Sequence, residues 1–133
     1  MEAAFGRRAP LLIDIGVGEG AATRAWAVQH PTNDVLAIEV HLPSVGRLLR
    51  ELDESGPANV EVAVADAIAT MRAIPDHSVA AIRVLFPDPW PKRRHHKRRL
   101  IDAEFLGDCG RTLETGGTFH VATDSLEYAT AVS

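Results

Sequence analysis

Apolar residues gather in short runs rich in Val, Ile and Leu: LLIDIG (11–16), VLAIEV (35–40), VEVAVA (60–65) and AAIRVLF (80–86). A fifth run, GTFHVAT (117–123), begins at the Gly116–Gly117 pair. The runs are nearly continuous rather than cleanly alternating, as expected of strands buried on both faces of a parallel sheet. Helical segments fall between them. Ala21–His30 stops at Pro31. Ser44–Glu54 follows Pro43, sets Leu48, Leu49 and Leu52 on one side, and ends at Gly56. Leu100–Leu113 puts Phe105, Leu106, Cys109 and Leu113 at helical spacing, although Gly107 and Gly110 weaken its interior. Strand and helix alternate through five strands without a repeat or linker. The pattern predicts a single α/β domain over residues 1–133, a doubly wound, mainly parallel, Rossmann-like sheet with helices on both faces.

Composition adds a charge asymmetry. At 133 residues and 46% hydrophobic content the chain can bury a core. Its net charge is −4, yet Lys92–Arg99 holds six of the 14 basic residues, leaving eight basic against 18 acidic elsewhere. One basic patch on an acidic body points to a local phosphate contact rather than indiscriminate polyanion binding. The single cysteine, Cys109, excludes an internal disulfide and reads as a small buried hydrophobe in a cytoplasmic protein. The apolar stretch after Arg7 and Arg8 meets Asp14 too soon for a signal peptide, and no run approaches the length of a membrane span. Nothing in the sequence distinguishes a monomer from a homodimer.

LLIDIGVGEGAATRA puts Gly16, Gly18 and Gly20 where the first strand turns into the first helix, a place where glycine lets a ligand approach the backbone. A glycine-rich turn alone can be no more than a tight connection. The spacing here is G-x-G-x-G, not the G-x-G-x-x-G of dinucleotide sites, and Asp14 and Glu19 stand in or beside it. Those carboxylates would repel a pyrophosphate but suit S-adenosylmethionine, which carries a sulfonium and an α-ammonium group. Glu39, 19 residues past Gly20, ends the second strand, where an acid can accept hydrogen bonds from ribose hydroxyls. Asp66 follows the third strand in VAVADAI, either to accept a hydrogen bond from the adenine amino group or to cap a helix at Ala67–Arg72. All four acids fall at or near the carboxyl ends of the first three strands, which face the ligand crevice in such a sheet.

In FPDPWPKRRHHKRR (86–99), Asp88 hangs from the end of the fourth strand between Pro87 and Pro89. If strand order reverses beside the first strand, Asp88 lies near the transferable methyl, in a loop stiffened by proline. The stretch could instead be a rigid turn that packs Trp90. Lys92, Arg93, Arg94, Lys97, Arg98 and Arg99 form the phosphate-binding candidate, though a charge run is more often a solvated face. His95 and His96 are adjacent and diverge, so no metal site is expected there.

Together DIGVGEG, AIEVH with Gly46 after it, ADA, FPDPWPKRRHHKRRL, and HVATD followed by Tyr128 resemble the tRNA (guanine-N7-)-methyltransferase family from about Leu11 to Tyr128. The resemblance implies a class I methyltransferase fold. It implies that Asp14, Glu39, Asp66 and Asp88 contact S-adenosylmethionine, with Asp88 also the catalytic position. It implies further that Lys92 and Asp124 contact the substrate, and Arg94, His95, His96, Lys97, Arg98 and Arg99 the RNA. Glu19 matches no fixed position, and its role rests on charge alone. The partner would be tRNA and the target a guanine of its variable loop. Members of the family continue with two more strands and a Thr-Lys-Phe-Glu loop, so the sequence is expected to end after the fifth strand without them.

Guanine N7 has an in-plane lone pair and no proton, so methylation needs no general base. A carboxylate can instead accept hydrogen bonds from N1–H and the 2-amino group and favour the positive charge that grows on the ring. Asp88 and Asp124 are the candidates. The alternatives are a non-catalytic protein that binds structured RNA, which the acids around the loop argue against, and a methyltransferase with another substrate, which would gain nothing from six cations beside its pocket.

Overall fold

The computed structural model describes residues 10–17, 20–85 and 103–122. In chain order they form β1 (Leu11–Ile15), α1 (Ala21–Gln29), β2 (Asp34–Glu39), α2 (Leu42–Ser55), β3 (Val60–Val64), α3 (Ala67–Ala73), β4 (Val79–Leu85), α4 (Ala103–Thr112) and β5 (Leu113–Ala122). The strands make one sheet in the order β3-β2-β1-β4-β5, each neighbouring pair parallel. The chain winds outward from β1 to β3, then crosses back to β4 on the other side of β1. The expected doubly wound arrangement is therefore present, with its point of reversal between β1 and β4.

Side-chain alternation along β1 explains the layers. Leu11, Ile13 and Ile15 face one side, where Leu36, Ile38, Ile82 and Val84 join Met71 and Ile74 near α3 and Phe105 and Cys109 of α4 in a single buried cluster. Full burial of one such side chain stabilises by about 1.5–3 kcal/mol, so this cluster is the main anchor of the fold. On the other face Leu12 and Val35 meet Ala27 and Trp26 of α1, while Val17 and Ala37 meet Leu48 of α2. Proline in the first turn of α2 suits a position whose N–H would lack a partner anyway. The helix stops at Gly56, where an added Cβ would lie 2.4 Å from the Leu52 Cα. No helix among the described residues is long and apolar enough to cross a membrane.

Helical spacing overshoots at the end of α4. The helix ends at Thr112, not Leu113, because its last carbonyls are taken by the approach to β4: His77 N–H donates to Arg111 O (3.0 Å) and Ser78 N–H to Thr112 O (2.8 Å). Leu113 instead opens β5 opposite Val79. The strand then bulges, and pairing resumes at Thr118 opposite Ala81. Gly116 takes a left-handed φ of 83° in the bulge, and a Cβ on Gly117 would sit 2.9 Å from Glu114 O. Both glycines that precede the fifth apolar run thus have a backbone reason to be there.

Candidate cofactor site

Among the described residues, the turn from β1 into α1 needs glycine at Gly16 and at Gly20. Gly16 extends the ladder by donating to Ile38 O (2.9 Å) and then turns with φ 78°. Gly20, at φ 86°, donates to Val17 O (2.9 Å) and caps α1, its carbonyl accepting from Arg24 N–H (3.0 Å). A Cβ on Gly20 would also come within 3.1 Å of Leu48 Cδ1, so α2 packs against the bare backbone there. Gly18 and Glu19 lie outside the described residues.

Glu39 ends β2 opposite Val64, two residues before Asp66. One carboxylate oxygen accepts from Val17 N–H (3.1 Å) and the other from Val40 N–H (2.9 Å) and His41 N–H (3.1 Å). A single side chain therefore ties the glycine turn to the start of α2. A carboxylate offers about four lone-pair sites, and these three N–H groups occupy three of them. His41, the cap residue of α2, is itself held by a 2.8 Å contact between its Nδ1 and Ser44 Oγ.

Asp66 caps α3: its Oδ1 accepts from Ile68 N–H (3.1 Å). The capping role weighed against adenine recognition is thus real, and it leaves Oδ2 available for a ligand. Around Glu39 and Asp66 the apolar side chains Val40 (64%), Leu42 (67%) and Val64 (56%) stand exposed, a surface that suits a flat heterocycle.

Asp14 has a different setting. It is fully buried, and its oxygens accept from Thr23 Oγ1 (2.7 Å), Arg83 Nη2 (2.8 Å) and Arg83 Nε (3.4 Å). Arg83 is its register partner on β4. The same guanidinium donates to Ala22 O (3.1 Å) and lies 4.2 Å from the centre of the Trp26 ring. Thr23, Trp26 and Arg83 were not singled out in the sequence. The available signal was one charge in each of two apolar runs, LLIDIG and AAIRVLF, since opposite charges buried on neighbouring strands must be paired.

The structure brings Gly16, Gly20, Glu39 and Asp66 together at the carboxyl ends of β1, β2 and β3, with Asp14 beneath the turn. Asp88, Lys92, Arg94, His95, His96, Lys97, Arg98, Arg99 and Asp124 lie outside the described residues. The donor set fits S-adenosylmethionine. Two carboxylates flank an apolar surface and a bare backbone turn, and the partly buried cation nearby, Arg83, is already matched by Asp14. A pyrophosphate would be repelled by that set.

Known proteins resemble the chain in both fold and sequence. A methylase acting on rRNA from Streptococcus thermophilus superposes with a TM-score of 0.65 at 18% identity, covering 92% of this chain and 66% of that one. An S-adenosylmethionine-dependent O-methyltransferase from Thermotoga maritima does so with a TM-score of 0.69 at 20% identity, over 94% and 42%. At such identities the likeness is one of fold. In sequence, a tRNA (guanine-N(7)-)-methyltransferase from Alkalilimnicola ehrlichii is 45% identical over 130 residues, covering 97% of this chain and 55% of the relative. One from Hydrogenovibrio crunogenus is 48% identical over 126 residues, 94% of this chain and 52% of the relative. The chain spans about half the length of the curated relatives it matches. The family described as "Putative methyltransferase" matches residues 8–133, nearly the entire sequence, and the chain belongs to that family.

Proposed function

We propose that the protein takes part in transferring the methyl group of S-adenosylmethionine to N7 of a guanine in the tRNA variable loop. The observation that carries this reading is the 45% identity to a tRNA (guanine-N(7)-)-methyltransferase over 97% of the chain, joined to a cofactor turn lined by carboxylates. On this reading the protein works in the cytoplasm with tRNA as its partner.

Glu39 and Asp66 bind the adenosine half of the cofactor, Glu39 through its remaining lone pair and Asp66 through the oxygen that does not cap α3. Gly16, Gly18 and Gly20 keep the turn open to it, and Asp14 serves the same pocket from beneath the turn. When bound, S-adenosylmethionine supplies an electrophilic methyl on a sulfonium. Asp88 and Asp124 hold the guanine by N1–H and the 2-amino group, and no residue removes a proton from N7. Lys92 contacts the substrate, and Arg94, His95, His96, Lys97, Arg98 and Arg99 grip RNA phosphates. That grip offsets the few kcal/mol, roughly, needed to free the base from its tertiary contacts.

The test is transfer of labelled methyl from S-adenosylmethionine to an unmodified tRNA transcript and to one whose variable-loop guanine is replaced by adenine. Labelling of the first alone is expected. Equal labelling of both would sink the substrate assignment, and calorimetry without heat from S-adenosylhomocysteine would sink the cofactor assignment.

A further inference from the structure

We propose that Arg83 is a positioning residue for cofactor binding: by pairing with Asp14 and bonding the Ala22 carbonyl, it locks the first turn of α1, and with it the glycine turn, to β4. The inference rests on the reading of this site as one for S-adenosylmethionine.

The ion pair lies at the centre of the sheet, with Asp14 fully buried and Arg83 partly so, at side-chain exposures of 0% and 16%. Removing two charges from water is costly, and a well-packed apolar pair at such a place is often as stable or more so. What an apolar pair cannot supply is direction. Arg83 meets Asp14 through both Nε and Nη2, and Nη2 also reaches Ala22 O, so one planar group fixes β1, β4 and α1 together. Trp26, one turn further along α1, covers the face of that plane, and Thr23 completes the set on Asp14. Two more contacts pass the position of α1 on to the site. Gly20 caps the helix and is tied to Val17, and Val17 N–H is held by Glu39. The route from Arg83 to the proposed ribose-binding carboxylate is therefore continuous.

The same geometry assigns Asp14 a supporting place. Asp14 is fully buried beneath the turn and its charge is matched by Arg83, so it acts on the cofactor through the turn, not as the partner of the α-ammonium group. Loss of the pair should then weaken binding of the adenosine half and of the whole cofactor alike.

The experiment is calorimetry on the full chain with two ligands, S-adenosylhomocysteine and 5′-methylthioadenosine, the second of which keeps adenosine and thioether but lacks the amino-acid arm. Arg83→Met and Asp14→Asn should each weaken both ligands by a similar factor, at least about ten-fold, with Arg83→Lys recovering part of the loss. The double variant Asp14→Asn with Arg83→Met leaves no unpaired buried charge, covers the case in which Arg83→Met alone fails to fold, and should show the same parallel loss. A direct role for Asp14 would appear as loss of S-adenosylhomocysteine alone, with 5′-methylthioadenosine unchanged, and would overturn the proposal. Unaltered binding in the Arg83 variants would overturn it as well. If the parent chain binds neither ligand, the S-adenosylmethionine reading falls and takes this inference with it, whereas parent binding with unaffected variants sinks the inference alone.

Discussion

Beneath α3 and α4 the sheet meets one continuous apolar cluster that runs from Leu11 to Cys109. Beneath α1 and α2 the apolar contacts split into two smaller groups, around Leu12 and around Val17, and the same face holds the Asp14–Arg83 pair with buried Thr23 beside it. The difference is one of specification. An apolar cluster stabilises in proportion to the area it buries but tolerates small slips, while hydrogen-bonded charges fix angles at little or no net gain in stability. The face that carries the proposed cofactor turn is the one built from directional contacts.

Substitutions on the two faces should therefore fail in different ways. Phe105, 1% exposed, lies at the centre of the apolar cluster. Phe105→Ala should cost towards the upper end of about 3–5 kcal/mol in denaturant unfolding, with cofactor affinity unchanged once corrected for the folded fraction. A specific loss of affinity in this variant would erase the contrast between the faces. Arg83→Met should cost towards the lower end of about 3–5 kcal/mol, the range for leaving a buried charge unpaired, because Arg83 keeps some contact with water. Adding Asp14→Leu should restore most of that stability without restoring cofactor affinity, and recovery of both together would show that the pair is only structural.

Smaller effects sharpen the contrast. Asp66→Ala removes the cap of α3 and should cost about 1 kcal/mol of stability. A larger loss of cofactor affinity than of stability would separate its ligand role from its capping role. Smallest is the pH response of Cys109, whose thiol burial pushes up from 9.0 to about 12, with a further push from neighbouring Asp108. A raised folded pKa means the thiol's contribution is complete below 9.0 and fades as pH climbs towards about 12. At pH 8 the thiol should resist alkylation until denaturant opens the fold, and rapid labelling of the native chain would show that the cluster admits water.

Much of this was legible from the sequence. Near-continuous apolar runs gave the strands, because a strand covered on both faces has no polar side to confuse the pattern. The placement of Gly16, Gly20, Glu39 and Asp66, though not their proposed role, was legible for a related reason: each follows or ends a strand on the side where the fold class alone predicts a ligand crevice. Leu113 was misplaced because its helical spacing relative to Cys109 and Phe105 is genuine, while the helix is stopped by hydrogen bonds from His77 and Ser78, some 35 residues earlier in the chain. Arg83 went unread for a similar reason. Nothing local to AAIRVLF names its partner, and only the β1–β4 register brings Asp14 beside it.

The bulge at the start of β5 carries one more implication. Leu113 pairs with Val79 and Thr118 with Ala81, so five steps of β5 are matched to two of β4. The slack falls between residues 114 and 117, ahead of a register that Thr118 to Ala122 then keep without interruption. Chain length is thus decoupled from alignment at this point: a residue could be gained or lost there without moving the strand's end. No such tolerance exists along residues 81–84, where each step is matched on both sides, four residues short of Asp88 in the sequence.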